Sequence, residues 1–141
     1  MRVSLIITTY NRPNALFLVL QSIKVQTKLP DEIIIADDGS DDSTRKCIAE
    51  FQKSSTLNVI HSWQRDEGFR VAKSRNKAIS KASSEYVVVV DGDMILHPKF
   101  LQDHIANAEI GYFVQGPRAL LSKDQTNYFI DEKKIYFSLF S

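Results

Sequence analysis

The sequence predicts an α/β fold in which a mostly parallel sheet is flanked by helices. Apolar runs at residues 3–7, 33–36 and 86–90 are rich in β-branched side chains, and a helical pattern follows each of them. Polar residues mark where these runs end: Thr-Thr-Tyr-Asn-Arg-Pro, Asp-Asp-Gly-Ser and Asp-Gly-Asp. Because open α/β sheets bind ligands outside the carboxyl ends of their strands, we expect the three segments to form one site.

Length and composition restrict the class of protein. A chain of 141 residues suffices for one domain with a substantial core, and 43% hydrophobic and 25% charged residues are ordinary for a soluble globular protein. The net charge of +1 gives no reason to expect nucleic acid. The single cysteine, Cys47, excludes an intrachain disulfide framework and suits a packing role in a reducing compartment. Without a membrane-spanning run or a secretory pattern, we expect a cytoplasmic protein.

The first two helices have start signals and periodic apolar faces. Asn11 can cap the first helix, and Pro13 fits its first turn, where a missing N–H costs nothing. The residues expected to pack on the sheet are Leu16, Val19, Leu20 and Ile23. The second helix has several caps at residues 40–44, with Asp41 among them. Its inner face is expected to hold Cys47, Ile48 and Phe51.

The later elements continue the alternation. They are a weaker strand at residues 57–60, a helix at 71–82, a strand at 86–90, a short helix opened by His97 and Pro98, and a strand at 112–116. The Tyr and Val residues at 86–90 favour a strand covered on both faces. Apolar positions of the 71–82 helix are Ala72, Ala78, Ile79 and Ala82. We interpret His97 as a cap rather than a metal ligand.

Asp91 and Asp93 form the most informative pair of carboxylates in the chain. Gly92 between them lets the backbone turn, so that both side chains reach the same edge of the sheet. Two adjacent carboxylates repel each other unless a positive group lies between them, and a divalent cation accompanied by a phosphate fits that place. Asp-x-Asp occurs often by chance, and the pattern by itself favours the alternative of an acidic turn that caps a strand.

The order of the motifs resembles the family 2 glycosyltransferases of the GT-A fold, over about residues 2–122. Those motifs are Thr-Thr-Tyr-Asn-Arg at 8–12, Ala-Asp-Asp-Gly-Ser at 36–40, Gly-Phe-Arg at 68–70 with Arg75 and Asn76, and Asp-Gly-Asp at 91–93. Residues 63–79 are most similar to the bacterial capsule and lipopolysaccharide branch, which includes chondroitin-polymerase-like enzymes. The resemblance implies a Rossmann-like domain and metal-dependent, inverting transfer of a sugar from a nucleotide donor, UDP-linked, to an acceptor hydroxyl.

The resemblance also implies a role for each site residue. Asp38 would accept the imide N–H of uracil, Thr9 and Tyr10 would hold the base and ribose, and Arg75 would point at the diphosphate or the sugar. The implied nucleotide-sugar site comprises Thr9, Tyr10, Arg12, Asp38, Arg75 and Asp91, and the implied Mn²⁺ or Mg²⁺ site comprises Asp91 and Asp93. The residues alone leave open a core position for Tyr10 and a solvated helix position for Arg75.

The general base of the family has no convincing match in this chain. It should lie well downstream of Asp-x-Asp, and the available carboxylates, Asp124, Asp131 and Glu132, do not have the expected context. We therefore expect residues 1–122 to form the donor-binding domain, and residues 123–141 to begin an acceptor-side region, with the base beyond Ser141. The alternative is a non-catalytic module that binds nucleotide sugars.

The tail has more aromatic residues than a solvated segment tolerates, namely Tyr128, Phe129, Tyr136, Phe137 and Phe140. A continuing polypeptide, a second copy of the chain, or the inner face of a membrane would cover them. The expected partners are thus a UDP-sugar donor and a carbohydrate or lipid-linked acceptor, with a homodimer or peripheral membrane association as further expectations.

Overall fold

The computed structural model describes residues 1–137, which form a four-stranded parallel sheet with helices on both faces. Its strands are β1 (Val3–Thr9), β2 (Glu32–Asp37), β3 (Val59–Trp63) and β4 (Tyr86–Asp91). Its helices are α1 (Pro13–Lys24), α2 (Asp42–Ser54), α3 (Val71–Ile79), α4 (Phe100–Ala106) and α5 (Lys123–Glu132). The predicted α/β class and parallel sheet are confirmed.

The strand order, β3-β2-β1-β4, brings the expected segments to one edge. The chain moves outward from β1 to β3, then returns past β1 to β4, so the direction of winding reverses beside β1. Thr9 is level with Asp37, and Thr8 is level with Asp91, at the carboxyl ends of three neighbouring strands. Such a reversal opens a crevice outside the strand ends, where α/β folds bind ligands.

The core lies on both faces of β1 and β2, in which every residue is buried. On one face, α1 and α2 cover the sheet, and all the residues predicted to face it from α1 are buried. Ile48 and Phe51 of α2 are also buried, as expected. Cys47 is half-buried beside them, and burial raises the pKa of its thiol, in agreement with a packing role.

The opposite face of the sheet is covered differently from the prediction. The helix there, α3, ends at Ile79 instead of residue 82, and both Ala72 and Ile79 are exposed. Ser74 and Ala78 are the buried residues of α3. Small side chains let this helix approach the sheet closely, so size rather than hydrophobicity decides which face is buried.

Two predicted strands are also corrected. The third strand begins at Val59 and reaches Trp63, whereas residues 57–60 were expected. Residues 112–116 form no strand, and Phe113 is 87% exposed. Among residues 1–137, β4 consequently pairs with β1 alone. Val88 and Val90 of β4 are buried, but Val89 is 39% exposed, so the expected coverage on both faces is wrong.

Helix α5 was not anticipated from the sequence. Ser122 and Gln125 form a capping box at its start, and the helix contacts α1. Phe129 is buried, whereas Tyr128 and Tyr136 remain substantially exposed. The tail aromatics are therefore partly covered by the chain itself; Phe140 lies outside the described residues. Across residues 1–137, no helix has the length and apolar character needed to cross a bilayer.

A buried carboxylate stabilises the end of the sheet opposite the crevice. Glu32, 3% exposed, accepts hydrogen bonds on Oε1 from the Ser4 hydroxyl at 2.5 Å and the Ser83 backbone N–H at 2.6 Å. Burial acts to raise the pKa of Glu32, but these hydrogen bonds outweigh it, and the pKa lies below its ordinary value. Ionised Glu32 therefore stabilises the fold above the unfolded-state pKa, and this contribution is lost as the pH falls through the lower folded-state pKa.

Replacing Glu32 by glutamine should lower the free energy of unfolding at pH 7 by about 1–2 kcal/mol, because hydrogen bonds to a charged acceptor become neutral ones. Urea denaturation at pH 7 and pH 3 measures this, and the difference from wild type should shrink at pH 3. Glu85→Gln, at an exposed carboxylate near the same edge, is the matched control and should stay within about 0.5 kcal/mol of wild type. An undiminished difference at pH 3 would contradict a charge effect.

Candidate active site

The carboxyl ends of the strands enclose a cavity of about 580 Å³. All seven residues predicted for the nucleotide-sugar and metal sites line it: Thr9, Tyr10, Arg12, Asp38, Arg75, Asp91 and Asp93. They come from β1, β4, α3 and the loops that follow β1, β2 and β4. The structure therefore brings together every predicted site residue, while the role of each as a ligand stays a prediction.

Asn11 joins the first two loops rather than capping α1. It has a positive φ of 48°, its backbone N–H donates to Ser40 Oγ at 2.9 Å, and its side-chain oxygen accepts the N–H of Asp41 at 2.8 Å. Asp41 itself caps α2 by accepting the N–H of Ser43, as expected. The β1–α1 loop (residues 10–12) and the β2–α2 loop (residues 38–41) are thereby held together.

Two glycines permit the close approaches that shape the cavity. Gly39 has φ +100°, and a Cβ there would lie 2.5 Å from the Cα of Asp66 in the β3–α3 loop (residues 64–70). A Cβ at Gly92 would lie 2.4 Å from the carbonyl oxygen of Thr8. Gly92 is thus required for contact between the ends of β1 and β4, in addition to the turn expected from the sequence.

The adjacent carboxylates Asp37 and Asp38 have different environments. Asp37 is fully buried, accepts the Ser40 N–H at 2.8 Å, and lies 2.7 Å from His61 Nε2. Burial acts to raise the pKa of Asp37, but the hydrogen bonds with His61 and Ser40 together have a larger, opposite effect. The pKa of Asp37 is therefore below its ordinary value. Asp38 lines the cavity, where it is 5% exposed. Asp37 therefore supports the loop, and Asp38 is the carboxylate that lines the cavity.

Tyr10 is a cavity residue and not a core aromatic. Its side chain is about half exposed, and its hydroxyl donates to Asp66 Oδ2 at 2.9 Å. That hydrogen bond, together with the charge of Asp66, raises the pKa of Tyr10. Phe69 also lines the cavity and is 92% exposed. Two aromatic rings are thus available to a ligand at this surface.

Arginines lie beside both members of the Asp-x-Asp pair. Asp93 Oδ2 is 2.7 Å from Arg12 Nη1, and both side chains are about half exposed. Asp91 accepts the Thr8 hydroxyl at 3.1 Å and lies 3.4 Å from Arg75 Nη2 and 3.7 Å from Arg118 Nη1. The positive charge expected near these carboxylates is therefore supplied here by guanidinium groups.

Sequence reasoning missed several residues of the cavity. Arg118 lies in a segment for which no element was predicted, so nothing in its local pattern placed it near Asp91. Asp66 and Phe69 lie within the stretch that carries the family resemblance, beside Gly68, which has φ +86°. A polar loop with a glycine between a strand and a helix was the signal available for them.

The carboxylates fit a cation that arrives with a phosphorylated ligand. Within the described part of the chain, no three Asp, Glu, His or Cys side chains are grouped closely enough to hold a metal ion by themselves. Mg²⁺ typically takes one or two protein carboxylates and completes its shell with phosphate oxygens and water, and Mn²⁺ prefers similar ligands. Asp91 and Asp93 are two carboxylates of that kind, side by side at the cavity. His97 does not line the cavity, and it does not cap α4 as expected. Its Nδ1 accepts the N–H of Lys99 at 3.3 Å, but Lys99 is the N-cap of α4, and no side chain caps that helix.

This chain is similar to known proteins both in sequence and in structure. A family model described as Glycosyl transferase family 2 matches residues 4–139. The chondroitin synthase of Escherichia coli is 31% identical over 137 residues, which are 94% of this chain and 20% of that protein. The structure of S. aureus TarS in complex with UDP-GlcNAc aligns with a TM-score of 0.61 at 28% identity, over 75% of this chain and 30% of that one.

A mannosyltransferase from Pyrobaculum calidifontis in complex with GDP-Man and Mn²⁺ aligns with a TM-score of 0.63 over 74% of this chain and 31% of that chain. At 24% identity this likeness shows the fold alone. The chain thus spans about a third or less of the length of each of these proteins.

Proposed function

The chain belongs to glycosyl transferase family 2 and has a GT-A fold, and from this we propose that its cavity binds a UDP-sugar with Mn²⁺ or Mg²⁺ for inverting transfer to an acceptor hydroxyl. The observation that carries the proposal is the convergence of all seven predicted residues on one cavity. The proposed acceptors are carbohydrate or lipid-linked hydroxyls in polysaccharide or lipopolysaccharide synthesis.

Asp38 supports uracil as the base. An ionised carboxylate only accepts hydrogen bonds, and the imide of uracil offers an N–H. Tyr10 and Phe69 provide apolar ring faces at the same cavity, to which a planar base can pack. UDP-GlcNAc is the ligand in the related TarS complex.

The arginines support a diphosphate. Planar guanidinium groups match phosphate oxygens with two parallel hydrogen bonds, and three of them, Arg12, Arg75 and Arg118, line the cavity. Arg75 Nε is buried and has no hydrogen-bond partner among residues 1–137. Because a buried donor without a partner is costly, a diphosphate or sugar oxygen at Arg75 would stabilise the bound state.

Asp91 and Asp93 would hold the cation. A divalent cation bound there would neutralise the charge that develops on the leaving diphosphate. Asp93 must release Arg12 to take part, since Arg12 Nη1 lies 2.7 Å from Asp93 Oδ2. The released guanidinium then becomes available to the diphosphate, so Arg12 and Asp93 together link the binding of cation and nucleotide.

Transfer also requires a base that takes the proton of the acceptor hydroxyl, and among residues 1–137 the cavity offers no carboxylate free for that role. Asp124, Asp131 and Glu132 lie on α5 and do not line the cavity. Of the four carboxylates that line it, three are assigned to the donor, and the fourth, Asp66, accepts hydrogen bonds from the Tyr10 hydroxyl and the Gly68 N–H. The proposal places the base in the part of the family's length that this chain does not span. The same observation favours a second candidate, a module that binds nucleotide sugars without turnover.

Titration calorimetry with UDP, with and without MnCl₂, tests the proposal. UDP should bind at least about tenfold more tightly with Mn²⁺, because cation and diphosphate share ligands. Equal affinity in both buffers would exclude the cation from binding, and no heat with UDP, ADP or GDP would exclude a nucleotide site. A separate assay of sugar transfer from UDP-GlcNAc distinguishes the two candidates, since binding without transfer favours the module.

A further inference from the structure

Gln64 connects the candidate base-binding carboxylate to the β3–α3 loop. It directly follows β3 and is 8% exposed. Its backbone N–H donates to the carbonyl oxygen of Asp37 at 3.1 Å, and its side-chain amide donates to Asp38 Oδ1 at 2.6 Å and to the Arg70 carbonyl oxygen at 3.4 Å. Gln64 is therefore hydrogen-bonded through its backbone to Asp37 and through its side chain to Asp38.

These bonds fix the orientation of the Asp38 carboxylate. Gln64 donates to Oδ1, and the backbone N–H of Arg70 donates to Oδ2 at 2.7 Å. With one donor on each oxygen, the carboxylate plane cannot rotate without breaking a buried hydrogen bond. Each carboxylate oxygen accepts about two hydrogen bonds, so Asp38 keeps acceptor capacity for a group in the cavity.

We propose that Gln64 is a positioning residue that holds Asp38 as a preorganised acceptor and thereby selects uracil over cytosine. The proposal rests on the proposed function, in which Asp38 receives the imide N–H of the base. Cytosine presents an acceptor nitrogen at the equivalent position, and facing a carboxylate it would leave two acceptors opposed without a proton. Such polar mismatches in a buried site discriminate strongly between ligands of the same shape.

The substitution Gln64→Glu tests the role of the amide, because it replaces the donating NH₂ group by oxygen. The hydrogen-bond donor beside Asp38 then becomes a second carboxylate. In Gln64→Glu two carboxylates face each other where the amide and Asp38 are 2.6 Å apart, and such pairs share one proton with a strongly raised upper pKa. While the pair retains that proton, an O–H replaces the lost N–H donor. When the pair loses it as the pH rises, the two charges repel and Asp38 is displaced.

The experiment is calorimetric titration of UDP and CDP at pH 5.5 and pH 8, with the full chain and Mn²⁺ present. Wild type should prefer UDP at both pH values. For Gln64→Glu we expect the UDP affinity to fall by about tenfold or more at pH 8 and to recover toward wild type at pH 5.5. Gln64→Met, of similar length but without a donor, should lose the preference for UDP over CDP at both pH values.

Gln52→Glu is the matched control, since Gln52 donates to the carbonyl oxygen of Val59 at an exposed position and should leave binding unchanged. Thermal unfolding verifies that each variant is folded. If wild type binds UDP selectively and both Gln64 variants keep its selectivity and pH profile, the role of Gln64 is overturned while the proposed function stands. If wild type binds UDP and CDP equally or not at all, the proposed uracil site fails, and the role of Gln64 fails with it.

Discussion

Replacing Gly39 by alanine is expected to lower the free energy of unfolding by about 3 kcal/mol or more, a large part of the 5–15 kcal/mol typical of a domain. The backbone at Gly39 has φ +100°, which costs a residue with a Cβ about 1–3 kcal/mol. The new Cβ would also lie 2.5 Å from the Cα and 2.6 Å from the backbone nitrogen of Asp66. Backbone atoms cannot rotate away, so the β3–α3 loop must move, at about 1–3 kcal/mol more.

Gly68 provides a matched control for Gly39. It also has a positive φ, +86°, but an added Cβ would meet no atom within 4 Å. Gly68→Ala should therefore show the backbone cost alone, and the difference between the two variants in urea denaturation measures the cost of the contact with Asp66. The structure indicates a close contact between Gly39 and Asp66. Equal losses of unfolding free energy in the two variants would contradict that contact.

The β3–α3 loop also carries the two donors that hold Asp38, on Gln64 and Arg70. Moving this loop away from Gly39 should therefore weaken UDP binding even at temperatures where Gly39→Ala remains folded. Calorimetry with UDP at low temperature tests this, and Gly68→Ala should bind more tightly than Gly39→Ala. Unchanged UDP affinity in a folded Gly39→Ala variant would show that the position of the β3–α3 loop does not affect UDP binding.

The parts of the fold that were predictable depend on local signals. The long β-branched runs of β1 and β2 are buried in full, and the helical spacing of α1 identified its buried face. Six of the seven residues lie in motifs at the ends of strands, which parallel topology collects at one edge whatever the details of packing. The seventh, Arg75, lies on α3 and was predicted from the family resemblance. The sequence therefore predicted residues that the structure brings to one cavity, while their roles stay predictions.

What the sequence did not predict depends on contacts between distant segments. The buried face of α3 is set by how closely Ser74 and Ala78 approach the sheet, and residues 112–116 have strand-like composition without strand pairing. The bond between Gln64 and Asp38 and the approach of Arg118 to Asp91 join segments far apart in the chain. Local patterns contain no information on such pairs, because tertiary packing decides them.

Asp93→Ala is expected to abolish the enhancement of UDP binding by Mn²⁺ while leaving the fold intact. Asp93 contributes a carboxylate to the proposed cation site, and an alanine methyl group cannot ligate a metal. Its ion pair with Arg12 joins side chains that are 48% and 58% exposed, and such pairs contribute about 0–1 kcal/mol to stability. Calorimetry with UDP should therefore give the same affinity with and without MnCl₂, and the thermal midpoint should change little.

Asp66→Ala separates a specific cation site from a general effect of negative charge in the cavity. Asp66 also lines the cavity, but it accepts hydrogen bonds from the Tyr10 hydroxyl and the Gly68 N–H. This variant should retain the Mn²⁺ enhancement that Asp93→Ala loses. If both variants lost it equally, the cation would respond to the summed charge of the cavity and not to Asp93. A collapse of the thermal midpoint in Asp93→Ala would instead identify Asp93 as a structural cap at the end of β4, the alternative that the Asp-x-Asp pattern alone leaves open.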